Sequence, residues 1–194
     1  MLLPRVVKGV SSEEMLDRGV DRRDFLKICS IAAAAVGLPA GAGVKMAEAA
    51  MAGQKPSVIW LSFQECTGCT ETLLRTRFPG LAELILDLIS LDYHEALMVP
   101  SGHLAEEARM AAMEAHKGKF ILVVEGAIPE KDDGIYCMIG GRTALDILKE
   151  AAEMAGAIVA IGSCASWGGI PSADPNPTGA TGAPQILEGK TVVT

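Results

Sequence analysis

The sequence is short of positive charge: 17 lysines and arginines stand against 24 aspartates and glutamates, for a formal net charge of −7 over 194 residues. A nucleic-acid-binding protein needs a basic face, so that class of partner is excluded. No apolar run reaches the ~18 uninterrupted residues of a membrane span. Histidine is scarce, and none of His94, His103 and His116 stands in a metal-ligand pair. All three read as structural or solvated side chains. There is no internal repeat. What remains is one domain's worth of chain, on a prior of ~100–200 residues each, with 49% apolar residues to build a core and only five cysteines.

Residues 1–49 do not read as ordinary domain sequence. Arg22 and Arg23 precede Phe25-Leu26-Lys27 and a mildly apolar Ala/Gly-rich stretch. Small residues follow at Ala47-Glu48-Ala49 and Ala50-Met51-Ala52. This is the layout of a secretory signal, and the adjacent arginines make it a twin-arginine signal, cleaved near residue 49 or 52. The competing reading is an amphipathic N-terminal helix with two chance arginines. Cys29 lies inside the leader and leaves with it. Loss of residues 1–49 leaves ten basic and eighteen acidic side chains, a net charge of −8. An exported protein can form disulfides, so Cys66, Cys69, Cys137 and Cys164 need an assignment.

From residue 50 to 194 strands and helices alternate. Val58–Phe63 fits a buried parallel strand, and the residues from Thr70 to Phe78 suggest one or two helical turns. Residues 81–94 are ambiguous: Leu84, Leu88 and Leu91 mark a helical face, while Ile89–Tyr93 could form a strand. Residues 102–119 predict a helix with Gly118 as its stop, and Phe120–Gly126 a strand. The next helix is capped by Thr143, with Asp146 three residues on, and ended by Gly156. Residues 157–164 read as another strand, and Lys190–Thr194 as the start of one more. This alternation predicts an α/β fold, a parallel sheet with helices on both faces. In such folds the site lies beyond the carboxyl ends of the strands, where Cys66, Glu125 and Cys164 all fall.

Cys66 and Cys69 bracket a Thr-Gly turn in "ECTGCTE", and Cys164 follows a strand in "GSCASWGGI" among small residues that leave room for something bulky. Soft thiolates in this pattern suit zinc or an iron–sulfur cluster. The competitor is disulfide chemistry, for C-x-x-C after a strand is also the signature of a thioredoxin-like redox pair. No tryptophan or proline flanks the pair in that family's way, however, and Cys164 would go unexplained. Spacing therefore favours a metal centre.

"ECTGCTE", "LDYHE", "VVEGAIPEKDDGIYC", "GSCASWGGI" and "NPTGATG" appear in this order. Together they closely resemble the small, electron-transferring subunit of periplasmic nickel–iron hydrogenases over essentially all of residues 50–194. The resemblance implies a flavodoxin-like domain carrying a proximal [4Fe–4S] cluster, with Cys66, Cys69 and Cys164 matching three ligands. Glu125 matches an acidic residue beside the cluster, and Glu71 shares the motif, although a solvated carboxylate is the alternative for each. Cys137 is not a ligand by the family pattern and reads as a small, half-buried residue. The cluster would relay single electrons from the nickel–iron site of a large-subunit partner to an acceptor such as a cytochrome or membrane subunit. The leader would engage the twin-arginine translocase, placing the protein in the periplasm or on the periplasmic side of the membrane.

Two departures from the family pattern are expected to matter. The fourth proximal ligand of the family lies in a Gly-Cys-Pro-Pro motif beyond a strand like "KTVVT", and the second domain with the medial and distal clusters lies further on; neither is within residues 1–194. The domain is thus expected to be C-terminally incomplete and inactive alone. Oxygen-tolerant members carry two additional cysteines, and here those positions read Gly68 and Gly169. The 20-kDa iron–sulfur subunit of NADH:quinone reductase is a related alternative, disfavoured by C-x-x-C in place of adjacent cysteines and by Arg22-Arg23. An exported flavodoxin-like fragment without a cluster is the non-catalytic alternative.

Overall fold

The computed structural model describes residues 22–35, 41, 43–44 and 55–194. The cleavage positions at 47–52 lie outside them. The described residues form two units, one from those up to Pro56 together with Phe78–Ser90, the other from Ser57–Arg77 and Leu91–Thr194. In the first unit helix α1 spans Arg22–Ala35, opened by the two arginines, with Asp24 bonded to Lys27 one turn on. The same unit holds a single helical turn, Leu81–Glu83, running into a π-helical turn at Leu84–Leu88. The ambiguous stretch is therefore helical first and extended afterwards.

Strand β1 (Ser57–Ser62), helix α2 (Gly68–Leu74), strand β2 (Ser90–His94), helix α3 (His103–Ala115) and strand β3 (Ile121–Glu125) come first along the rest of the chain. Short strands β4 (Ile128–Pro129), β5 (Met138–Ile139) and β6 (Arg142–Thr143) precede helix α4 (Ala144–Met154). Strand β7 (Ala157–Ile161), helix α5 (Gly162–Trp167), strand β8 (Ala180–Thr181), helix α6 (Ala183–Ile186) and strand β9 (Val192–Val193) complete it. Five strands form one sheet in the order β2-β1-β3-β7-β9, and β1/β3, β3/β7 and β7/β9 are parallel. Counted along the chain as five sheet strands, that order is 2-1-3-4-5, the flavodoxin-like arrangement, whose switch point lies between the first and third strands.

Burial follows from this topology. Ser57–Leu61 are buried without interruption, as in a strand covered on both faces. Ile59, Leu61, Leu122 and Val124 join Met113 of α3 and Ile147, Leu148 and Ala151 of α4 in one core cluster. The register pairs Ser62 with Glu125 and Glu125 with Ile161, so β1, β3 and β7 end level with one another. Every residue just past those three ends is delivered to the same edge.

Local chemistry fixes the helix ends. The Thr143 hydroxyl accepts a hydrogen bond from the Asp146 amide at 3.1 Å, the expected cap of α4. The stops differ from expectation. α3 ends at Ala115 with His116 as its cap, before Gly118. Gly156 is needed for space: a β-carbon there would sit 2.7 Å from the Gly118 carbonyl oxygen. The β5–β6 hairpin, turned by Gly140-Gly141, has no counterpart in the elements read from the sequence.

Candidate metal centre

The loop after β1 is held down before it reaches the cysteines. The Phe63 amide donates to the Glu125 carbonyl at 2.9 Å, and Gln64 and Ala127 exchange two backbone bonds at 2.8 and 3.0 Å. Thr67 takes a left-handed conformation and α2 starts at Gly68, so Cys66 stands before the helix and Cys69 in its first turn. From β7 the chain turns at once through Gly162 into α5, which carries Cys164. All three cysteines are free thiols, Cys66 exposed and Cys69 and Cys164 half-buried.

Two glycines make room for the sulfurs. Gly162 has φ +77°, and a β-carbon on it would fall 2.4 Å from Cys69 Sγ. Gly169 has φ +54°, and a β-carbon there would meet the Cys164 amide nitrogen at 2.9 Å and its Sγ at 3.0 Å. The Cys69 thiol also lies 3.6 Å from the Ile161 carbonyl oxygen. Burial raises the Cys69 pKa above its ordinary value, and the negative charges of Glu125, Cys66 and Cys164 push it the same way. A bound cation would relieve that repulsion, with loss of the thiol proton.

Glu125 is buried under the motif. Its Oε1 accepts from the amides of Cys69 (3.1 Å) and Thr70 (3.2 Å), and its Oε2 from the Thr70 hydroxyl (2.6 Å) and the Trp60 indole N–H (2.9 Å). Three of these four donors belong to the first turn of α2, which the carboxylate thus anchors, and the fourth ties it to β1. Thr70 also meets His94 Nε2 at 3.1 Å, and the His94 ring stacks on Trp60 with centroids 5.1 Å apart. Trp60, Thr70 and His94 were not singled out from the sequence as site residues. The available signal for His94 was positional, since it closes β2 beside β1 at the functional edge.

The other candidates separate cleanly. Glu71 is solvated and pairs with Arg75 at 3.0 Å. Cys137 is half-buried against the core and lines a cavity of about 400 Å³ shared with Glu65, Thr67, Thr70 and Glu95. Burial there, with the charges of Glu125 and Glu95, raises the Glu65 pKa against the hydrogen bond from Thr67. His116 faces Asp92 at 3.6 Å, half-exposed.

Among the described residues no three His, Cys, Asp or Glu side chains close around a point small enough for a single ion. A multinuclear cluster holds its ligands farther apart than one ion does. Three soft sulfurs, brought to one strand edge and faced by glycines, fit an iron–sulfur cluster better than mononuclear zinc.

Comparison with known proteins points the same way. Residues 66–194 match the sequence profile of the family described as NADH ubiquinone oxidoreductase, 20 Kd subunit. The Hydrogenase-2 small chain of Escherichia coli K12 is 51% identical over 175 residues, which are 90% of this chain and 47% of the relative. The periplasmic [NiFe] hydrogenase small subunit of Solidesulfovibrio fructosivorans is 43% identical over 182 residues, 94% of this chain and 58% of the relative. The chain thus spans about half the length of these curated relatives. Among solved structures, a reduced, active Ni-Fe-Se hydrogenase from Desulfomicrobium baculatum superposes with a TM-score of 0.70 at 36% identity, covering 72% of this chain and 55% of that one. The [NiFeSe] hydrogenase of Desulfovibrio vulgaris Hildenborough gives 0.68 at 43% identity, covering 70% and 50%.

Proposed function

The chain belongs to the family of the 20-kDa subunit of NADH ubiquinone oxidoreductase, its close relatives are hydrogenase small subunits, and from that membership we propose that it relays electrons in a nickel–iron hydrogenase. The observation that carries the reading is the meeting of Cys66, Cys69 and Cys164 at the level ends of β1, β3 and β7. These three thiolates would hold a proximal [4Fe–4S] cluster. When bound, such a cluster supplies one-electron redox chemistry.

The residues of this chain supply the setting. Gly162 and Gly169 leave the sulfurs unobstructed. Glu125 fixes the Cys69 amide, and with it the first turn of α2, from a buried position. Hydrogen splitting is assigned to a large subunit carrying nickel and iron. Electrons would pass from it through this domain to an acceptor such as a cytochrome or membrane subunit. Arg22-Arg23 and the small residues beyond them support export by the twin-arginine translocase to the periplasm, in which residues 1–49 would be the leader and 50–194 the cluster domain.

The 20-kDa subunit of the quinone reductase is the second reading, since it gives the family its description. The Cys66-Thr67-Gly68-Cys69 spacing and the paired arginines favour the hydrogenase reading. The test is anaerobic purification with the partner subunit, followed by iron and sulfide analysis and electron paramagnetic resonance. Iron and sulfide in equal amounts, lost in Cys66→Ser, Cys69→Ser and Cys164→Ser, is the expected result. Iron-free protein with a Cys66–Cys69 disulfide would overturn it.

A further inference from the structure

His94 is buried at 1% exposure, and its Nδ1 has no hydrogen-bond partner. A buried polar atom without a partner calls for an explanation. The proton count in the network supplies one. A threonine hydroxyl has one proton to donate and lone pairs to accept with. Thr70 makes its shorter contact, 2.6 Å, as a donor to Glu125 Oε2, beside the Trp60 indole and the two amides that donate to the same carboxylate. The Thr70 proton therefore points at Glu125, and toward His94 at 3.1 Å the hydroxyl accepts. His94 must then carry its proton on Nε2, and its Nδ1 keeps a bare lone pair. The unpartnered nitrogen is the consequence of a donor spent on Thr70.

The stack on Trp60 fixes the ring plane, and Trp60 itself donates to Glu125. Two aromatic side chains in contact thus orient the same carboxylate, one directly and one through Thr70. Neither touches a thiol in the described contacts.

We propose that His94, in the neutral Nε2–H form and clamped by Trp60, is a positioning residue that locks Thr70 onto Glu125 and so fixes one negative charge beneath the Cys66–Cys69 loop. The idea rests on the electron-relay reading for its consequence. A fixed negative charge beside a cluster opposes the added electron and lowers the reduction potential, so the network sets the poise of the site as well as the shape of its loop.

The test uses the anaerobically purified complex. Glu125→Gln removes the charge and should raise the potential in a redox titration followed by electron paramagnetic resonance. His94→Phe keeps a ring on Trp60 but loses the donor, and should move the potential the same way by a smaller amount. His94→Gln keeps a donor and should restore most of the native value. In His94→Phe/Glu125→Gln the two shifts should not add, since His94 acts through Glu125. Full additivity, or a native potential in His94→Phe, would overturn the proposal. Nitrogen-15 resonance of the His94 ring in the full chain provides an arm independent of any cluster: a protonated Nε2 and bare Nδ1 are expected, and the reverse tautomer overturns the proposal. Absence of iron with the expected tautomer would count against the relay reading and leave the network intact.

Discussion

Gly162 lies against Cys69: a β-carbon on the glycine would fall 2.4 Å from the sulfur, and the glycine's φ is +77°. Two independent demands therefore meet at one residue, a left-handed turn out of β7 and space for a thiolate. For an ordinary residue that conformation costs ~1–2 kcal/mol, which a core of this size tolerates. Displacement of Sγ is the more damaging effect. Gly162→Ala is expected to remain folded by circular dichroism while iron per chain falls by half or more. Native iron content in that variant would show that Cys69 does not need its present position.

The burial of His94 has a consequence for stability against pH. Burial holds its pKa below the ordinary 6.5, outweighing the attraction of the Glu125 charge. The unfolded chain therefore binds this proton more readily than the folded one. By linkage, the neutral ring contributes fully to stability above about 6.5, and that contribution declines as pH falls from there toward the depressed folded value. Denaturant unfolding at pH 7.5 and 5.5 should show a loss for the native protein that His94→Gln reduces. An equal loss in both would remove His94 from the account.

The legibility of this chain in its sequence follows physical lines. β1, β3 and β7 were readable because parallel strands covered on both faces leave continuous apolar runs, and the cap at Thr143 because it is local. The β5–β6 hairpin was not, for Met138-Ile139 and Arg142-Thr143 are too short to show alternation. Cys66, Cys69 and Cys164 are proposed as ligands from motif spacing and position at strand ends. Their supports Trp60, Thr70 and His94 escaped because a network joining β1, β2, α2 and β3 leaves no spacing in the sequence.

The same limit hid Arg109, which sits in the middle of α3. It is 1% exposed, with Glu106 at 2.8 Å and Glu150 at 3.6 Å, and its Nη1 lies 3.3 Å from Met113 Sδ. It ties α3 to α4. Removing one partner of a buried ion pair costs ~3–5 kcal/mol. The two glutamates keep 17% and 30% of their side-chain exposure and can rehydrate, which argues for the lower end. Arg109→Ala should lower the urea midpoint accordingly. A change below about 1 kcal/mol, the range of a surface pair, would mean that the pair behaves as an exposed one.

Export is open to a direct test. Arg22 and Arg23 precede an apolar stretch and the small residues at 47–52. In Arg22→Lys/Arg23→Lys an uncleaved precursor should accumulate in the cytoplasm, detected by immunoblot of fractionated cells. Normal processing of the double variant would return the segment to the amphipathic-helix reading.

Oxygen sensitivity can be argued from two glycines. On the hydrogenase reading, oxygen-tolerant members of the family would carry cysteines at the positions of Gly68 and Gly169. Without them the proposed cluster would have at most the four thiolates of the family pattern, Cys66, Cys69 and Cys164 among them, which suits a conventional cubane with one accessible redox step. The assembled enzyme is therefore expected to lose hydrogen oxidation in air, and sustained turnover under oxygen would contradict this. Restoring the cysteines should not be simple. A β-carbon at Gly68 would sit 3.1 Å from Cys66 Sγ, a contact that a small shift relieves. At Gly169 it would crowd the Cys164 backbone at 2.9–3.0 Å with φ at +54°, where the backbone itself must move. Gly68→Cys is accordingly expected to keep its iron and Gly169→Cys to lose much of it. If both variants retain full iron and the pair together survives air, the Cys164 loop must be able to rearrange around a larger residue.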